Sequence, residues 1–266
     1  MGKILPRFLA CASVAVLLAG CASTPTDDDE TKGWTAEKLY STAKAEQADR
    51  NFEKSTKLLE KLEARYPYGR YAQQAQLEEA YNHYKAQEPL LAQAAIDRFI
   101  KSNPVHPSMD YALYLKGLVS FNEMQGFLSA ISKQDMSERD PKAAKDSFEA
   151  FRDLVQRFPE SKYAADAQVR MGYLIGALAS YELHVAKYYY KRGAYLAAAN
   201  RGKYLIETYS NTKQVEAGLA MMVLSYDKLG LNDLRDDAKR VLQKNYPNTQ
   251  TLTEDFLEDP SWWTPF

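Results

Sequence analysis

The chain has 266 residues, with 34 Lys plus Arg against 35 Asp plus Glu, 45% apolar residues, 26% charged residues and 12 Gly. That composition belongs to a folded, water-soluble chain long enough for a sizeable core or a short repeat array. The formal charge of −1 leaves no basic excess to neutralise phosphates, which argues against nucleic acid as a partner. Both cysteines, Cys11 and Cys21, fall at the N-terminus, so the remainder has no disulfide, thiolate zinc site or thiol nucleophile.

Lys3 and Arg7 precede an apolar run, Phe8 to Leu18, too short to span a bilayer but of the length of a signal-peptide core. Leu18-Ala19-Gly20-Cys21 follows and resembles the bacterial lipoprotein signal, in which the thiol is acylated, the chain is cut before the cysteine and the new amine is acylated too. The alternative is an ordinary secretory peptide with a chance cysteine. Residues 1–20 are thus expected to be a lipoprotein signal peptide, with the mature chain starting at a lipidated Cys21. At roughly 0.8 kcal/mol per buried CH₂, three acyl chains would hold essentially permanently. Ala22, which is not Asp, implies export to the outer membrane, and loss of Lys3 and Arg7 leaves a formal charge of −3. Residues 21–34 carry Thr24-Pro25-Thr26 and the acids Asp27, Asp28, Asp29 and Glu30. They are polar and aperiodic, and read as a flexible tether in which the acids are solvated spacing rather than metal ligands.

From Trp34 onward no segment sustains period-2 alternation, while helical periods recur. Phe52, Leu59, Leu62 and Tyr66 share one face, as do Ala144, Phe148, Phe151, Val155 and Phe158; Asp140 as N-cap and Pro141 at the first helical position start the latter helix. The prediction is all-α. Helix ends recur as Arg65-Tyr66-Pro67, Ser102-Asn103-Pro104, Arg157-Phe158-Pro159, Thr208-Tyr209-Ser210 and Asn245-Tyr246-Pro247, with anchors spaced 37, 55, 51 and 37 residues apart. The shorter spacing is close to the ~34-residue tetratricopeptide period. Four residues before the anchors stand Leu62, Phe99, Leu154, Leu205 and Leu242; eleven before stand Ser55, Ala92, Ser147, Ala198 and Arg235. Large apolar residues in one row and small ones in the other are what packed helix pairs require. Residues 35–249 are therefore expected to form an α-solenoid of about five tetratricopeptide-like helix pairs.

The third unit's extra length is read as a polar loop near Asn122 to Arg139, and the fourth's as one long helix, about Ser161 to Lys191, with a bend at Gly172 or Gly176. Residues 250–266 form an acidic, aromatic tail containing Trp262 and Trp263, which is a docking peptide, a loose end or a flap over the last repeat.

Catalytic signatures are missing. The three histidines, His83, His106 and His184, form no His-Glu-x-x-His pair, and neither a Gly-x-Ser-x-Gly elbow nor a phosphate-binding Gly loop occurs. His83 suits packing or a groove wall, and His106, between Pro104 and Pro107, shapes a turn. Glu78 and Glu79 are adjacent on a helix, point in different directions and suit solvation. Of the 19 tyrosines, Tyr66, Tyr68, Tyr71, Tyr81, Tyr84, Tyr111 and Tyr114 fall in the first three repeats, and about half are expected to pack helix on helix. Tyrosine joins apolar area to a polar tip and suits a groove for peptides.

Arg65-Tyr66-Pro67-Tyr68-Gly69, with Tyr71 and Gln73-Gln74, the run Leu91 to Ile100 leading into Asn103-Pro104 and His106-Pro107, Arg139-Asp140-Pro141, and Arg192-Gly193-Ala194 with Asn200-Arg201 together resemble the BamD lipoproteins of the outer-membrane β-barrel assembly machinery. The resemblance runs from the lipobox to about Thr249; Asn122 to Ser137 and the tail depart from it. It implies a non-enzymatic, cofactor-free and metal-free scaffold at the periplasmic face of the outer membrane. Its C-terminal repeats would bind the POTRA domain of BamA, accessory lipoproteins such as BamC and BamE would be further partners, and its N-terminal repeats would recognise the C-terminal signal of unfolded β-barrel substrates. Tyr66, Tyr71, Tyr81 and Tyr84 are the candidates for that groove, with Tyr66 foremost because it lies in the matching turn. A periplasmic adaptor or activator of a cell-wall enzyme is the alternative function.

Arg201 is the further candidate. Eight residues before the anchors stand Leu58, Ala95, Ala150, Arg201 and Ala238, so one guanidinium occupies an otherwise apolar row. Either it makes a charged contact with BamA, or it reaches solvent, or it pairs internally with Glu207 or Glu182.

Overall fold

The structure, a computed structural model, describes residues 29–129 and 141–252, apart from the side chains of 124–129. Cys21, Asp140, Trp262 and Trp263 therefore lie outside the described residues. Among the described residues there are ten α-helices and no strand: α1 (Ala36–Ala48), α2 (Phe52–Arg65), α3 (Arg70–Lys85), α4 (Pro89–Ser102), α5 (Met109–Ser129), α6 (Lys142–Arg157), α7 (Ala164–Lys191), α8 (Tyr195–Thr208), α9 (Val215–Lys228) and α10 (Asn232–Asn245). Successive helices pack on one another throughout, giving five helix pairs in a solenoid.

The five anchors of the repeat register are the C-cap residues of α2, α4, α6, α8 and α10. Each has φ between −133° and −122° and ψ between 42° and 70°. Each donates its N–H to the carbonyl four residues earlier, on Leu62, Phe99, Leu154, Leu205 and Leu242, and these five side chains are 0% exposed. In the row of small residues, Ser55, Ala92, Ser147 and Ala198 are fully buried. Arg235 breaks the row in the last pair and turns outward to Asp227 and Asp236.

The turn inside each pair is just as regular. Arg50, Gln87, Gly193 and Gly230 have positive φ of 64°, 62°, 76° and 68°. In each, the next residue donates its N–H back across the helix end, Asn51 to Glu46, Glu88 to His83, Ala194 to Tyr189 and Leu231 to Tyr226. These are Schellman closures, which satisfy the orphan carbonyls of the first helix. The third pair's turn falls among residues 130–140, outside the described residues.

First helices of neighbouring pairs touch each other, α1 with α3, α3 with α5 and α7 with α9, so they form the inner layer. Four apolar clusters run along the array, from Leu39, Leu59 and Leu62 at one end to Leu205, Met221 and Leu242 at the other. Two tight approaches depend on glycine. A Cβ on Gly202 would sit 2.7 Å from the Gly218 carbonyl oxygen, and one on Gly117 would strike the Phe151 ring.

The structure differs from the sequence reading in several places. The expected loop from Asn122 is helical as far as Ser129, because that stretch contains good helix formers and no proline. Pro141 is the N-cap of α6 rather than its first residue, and its carbonyl accepts the first helical bond from Lys145. The long helix is present as α7, 28 residues, but nothing lies within 4 Å of a Cβ on Gly172 or Gly176, so no neighbour requires glycine there. The acidic run is not all solvated spacing. Asp29 binds Lys61 at 2.7 Å and pairs with Arg65, while Thr31 beside it is buried. Lys61, Thr31 and Arg65 hold the Asp29 carboxyl well below the usual carboxylate range, so the chain is clipped to the end of α2 before Trp34. At the other end Thr251 is buried and Leu252 packs on the last cluster.

Candidate docking surface

Tyr71, Gln74, Glu78, Tyr81 and Lys85 recur on α3 at steps of three and four and so share one face. Opposite stand Tyr40, Lys44 and Gln47 of α1. Tyr40 leans on Tyr71 with ring centroids 5.5 Å apart and donates its hydroxyl to Glu78 at 3.3 Å. Lys44 Nζ lies 2.8 Å from the Glu78 carboxylate, and Gln47 and Gln74 donate amide protons to it. Burial, reinforced by Glu78, pushes the Tyr40 phenol above its ordinary range and keeps it a donor. Beneath this stripe Gln47 bonds Asn82, which donates to Ser55 and Thr56, a buried polar chain that fixes the register of α1, α2 and α3.

The stripe continues on α5. Tyr111 packs with Tyr81 and Tyr84 against the core of the second and third pairs. Tyr114 stacks on Tyr163 at 4.7 Å and donates to Asp166 at 2.7 Å, while Arg170 closes on Asp166 at 2.6 Å. The inner layer thus presents a run of tyrosine rings, of which Tyr40 and Tyr114 have their hydroxyls held by carboxylates.

The sequence candidates divide. Tyr71 and Tyr81 stand on the α3 stripe. Tyr84 sits to one side, toward α5, and accepts a hydrogen bond from Asn122. Tyr66 stands apart from all three: as the cap of α2 it donates its hydroxyl to the Trp34 carbonyl at 2.8 Å and belongs to the N-terminal clip. Sequence reasoning missed Tyr40, Lys44, Glu78, Tyr163, Asp166 and Arg170. The Tyr40/Lys44 and Asp166/Arg170 spacings of four were the available signal.

The expectation that Glu78 and Glu79 are solvated is corrected. They do diverge, yet Glu78 is bound by α1 and Glu79 is 6% exposed, paired with Arg98 of α4. His106 shapes its turn, its backbone bonded to Asn103 and Met109 and its ring nitrogen to the Ser108 N–H. His83 meets Glu88 at 2.7 Å. Among the described residues no group of His, Cys, Asp or Glu is arranged to hold a metal ion, and no helix is long and apolar enough to cross a membrane.

Arg201, on α8, has an internal partner. Its guanidinium meets Glu182 of α7 at 2.8 Å; Glu182 is 3% exposed and Arg201 40%. Of the alternatives in the sequence, pairing with Glu182 is realised, and part of the guanidinium still reaches the surface.

An array of helix pairs with an aromatic, hydrogen-bonding inner layer defines a tetratricopeptide-like repeat protein. Residues 33–242 match the family YfiO, described as outer membrane lipoprotein. The chain is 48% identical to the outer membrane protein assembly factor BamD of Neisseria meningitidis serogroup A, over 97% of this chain and 98% of that one. It is 37% identical to the BamD of Vibrio cholerae, over 86% and 94%, and 31% identical to that of Haemophilus influenzae, over 91% and 92%. The chain belongs to the BamD family of outer membrane lipoproteins.

Proposed function

We propose that this chain is a non-enzymatic adaptor in outer-membrane protein assembly, held by lipid on Cys21 at the periplasmic face of the outer membrane, which binds the C-terminal segment of unfolded β-barrel proteins along its first three helix pairs. The observation that carries the reading is the inner stripe of α1 and α3, in a family whose named relatives are assembly factors. Tyr40, Tyr71 and Tyr81 offer apolar faces, while Gln74, Glu78 and Lys44 offer donors and acceptors to an extended backbone. The POTRA domain of BamA, BamC and BamE are the proposed protein partners.

Photocrosslinkers at positions 71, 81 and 84 should capture the C-terminal segment of an unfolded barrel protein, and position 66, in the clip, should capture less. Crosslinks arising only from the last two pairs would reverse this polarity.

The proposed BamA contact is Arg201. Because Arg201 also neutralises buried Glu182, Arg201→Ala strands a carboxylate and should lower stability by about 1–3 kcal/mol, so its effect on binding cannot be read alone. The informative variant is Arg201→Met with Glu182→Gln, which removes both charges together. It should fold, yet bind the isolated POTRA domain more weakly by about 2–5 kcal/mol if the contact is desolvated. Unchanged affinity would leave Arg201 a structural residue.

A further inference from the structure

An open cleft of about 550 Å³ lies where α1 and α3 end, lined by Lys44, Gln47, Ala48, Arg50, Phe52, Tyr81 and Lys85. Its ionisable lining is cationic apart from the Tyr81 phenol. Lys44 is engaged with Glu78. Arg50 and Lys85 have no ion-pair partner among the described residues. The partial negative charge of the two helix ends attracts these cations, but the two full charges of Arg50 and Lys85 exceed it.

Arg50 holds a φ of +64° at a turn position filled by Gln87 in the second pair and by Gly193 and Gly230 in the fourth and fifth. An L side chain rarely adopts that conformation, and a residue kept there against glycine's advantage points to a use for its side chain. Arg50 lines the cleft.

We propose that this cleft binds the free α-carboxylate of a peptide lying along the α1–α3 stripe, with the last side chain between Phe52 and Tyr81. The inference rests on the peptide-groove reading above and adds its polarity: the chain terminus sits at the Arg50 and Lys85 end. From Tyr71 to Lys85 the stripe rises ~21 Å at ~1.5 Å per residue, room for about six extended residues at ~3.3 Å each. A guanidinium and an ammonium on a carboxylate give short, charge-assisted hydrogen bonds.

The test uses the full lipidated chain in detergent and the labelled hexapeptide Val-Thr-Val-Thr-Val-Phe, prepared as free acid and as C-terminal amide, with binding read by fluorescence anisotropy. The acid should bind about tenfold more tightly than the amide. Arg50→Gly should bring that ratio close to one while its thermal midpoint stays at or above wild type, since glycine suits the turn; Lys85→Gln should lower the ratio as well. Tyr71→Ala should weaken both peptides equally. Equal binding of acid and amide by the wild type overturns the carboxylate site and leaves the groove standing, whereas binding of neither overturns the groove and this inference together. A ratio retained in Arg50→Gly, or competition by inorganic phosphate as strong as by the acid peptide, also overturns it.

Discussion

Glu63 of α2 and Glu79 of α3 share the Arg98 guanidinium, and burial pushes both carboxyls above their ordinary range despite it. One Glu63 oxygen is buried without a hydrogen bond. The folded state therefore holds protons that the unfolded chain has released, so this cluster's contribution is fully present below the ordinary carboxylate pKa and is lost as pH rises through the raised values. Glu63→Gln should stabilise the protein by about 1 kcal/mol at pH 7 and hardly at all at pH 4. Thermal melts at the two pH values check this, and an equal shift at both would reject it. At this scale the sequence was least legible. The divergence of Glu78 and Glu79 followed from helix geometry, but their burial depended on Lys44 and Arg98, supplied by other helices. Arg201 was visible as a charge in an apolar row because that row is read within the repeat; its partner Glu182 could only be offered beside Glu207.

Helices and turns were far more legible, since each unit repeats the same physical demand. The cap residues and the rows four and eleven positions before them could be aligned without coordinates because each pair must bury one large and one small side chain at the same height. The left-handed turns were hidden wherever the residue was not glycine. Gln87→Gly should relieve such a turn and raise stability by about 0.5–1 kcal/mol, whereas Gly202→Ala should lower it by about 1–3 kcal/mol because the α9 backbone already occupies the space. Chemical denaturation of the two variants should move in opposite directions, and a shared sign would refute the account of one of them. Neither glycine pattern could be read from composition, where a tight approach and an open position such as Gly176 look alike.

For the whole molecule, the periodicity carried the architecture but not its ends. The array was expected to begin near residue 35 and finish near 249, yet Asp29 and Thr31 are docked on α2 and Thr251 is buried, because end pairs recruit flanking chain to cover faces that no neighbour covers. Acylation at Cys21 remains the hinge of the functional proposal. Cys21→Ala should yield a chain that folds alike but leaves the membrane fraction, and an intact mass showing no lipid on wild-type Cys21 would refute the anchor.

The Asp29 clip sets a range. Eight residue steps separate Cys21 from Asp29, and a fully extended chain gains at most ~3.6 Å per step, so the leash of a lipidated chain ends within about 30 Å of its anchor. The end of α2 would be confined to a thin shell beneath the bilayer, and the α1–α3 stripe beside it would meet clients at the membrane before the rest of the array does. Asp29→Asn, by loosening the clip, would lengthen the leash toward Trp34 and dilute that encounter without altering a single residue of the groove.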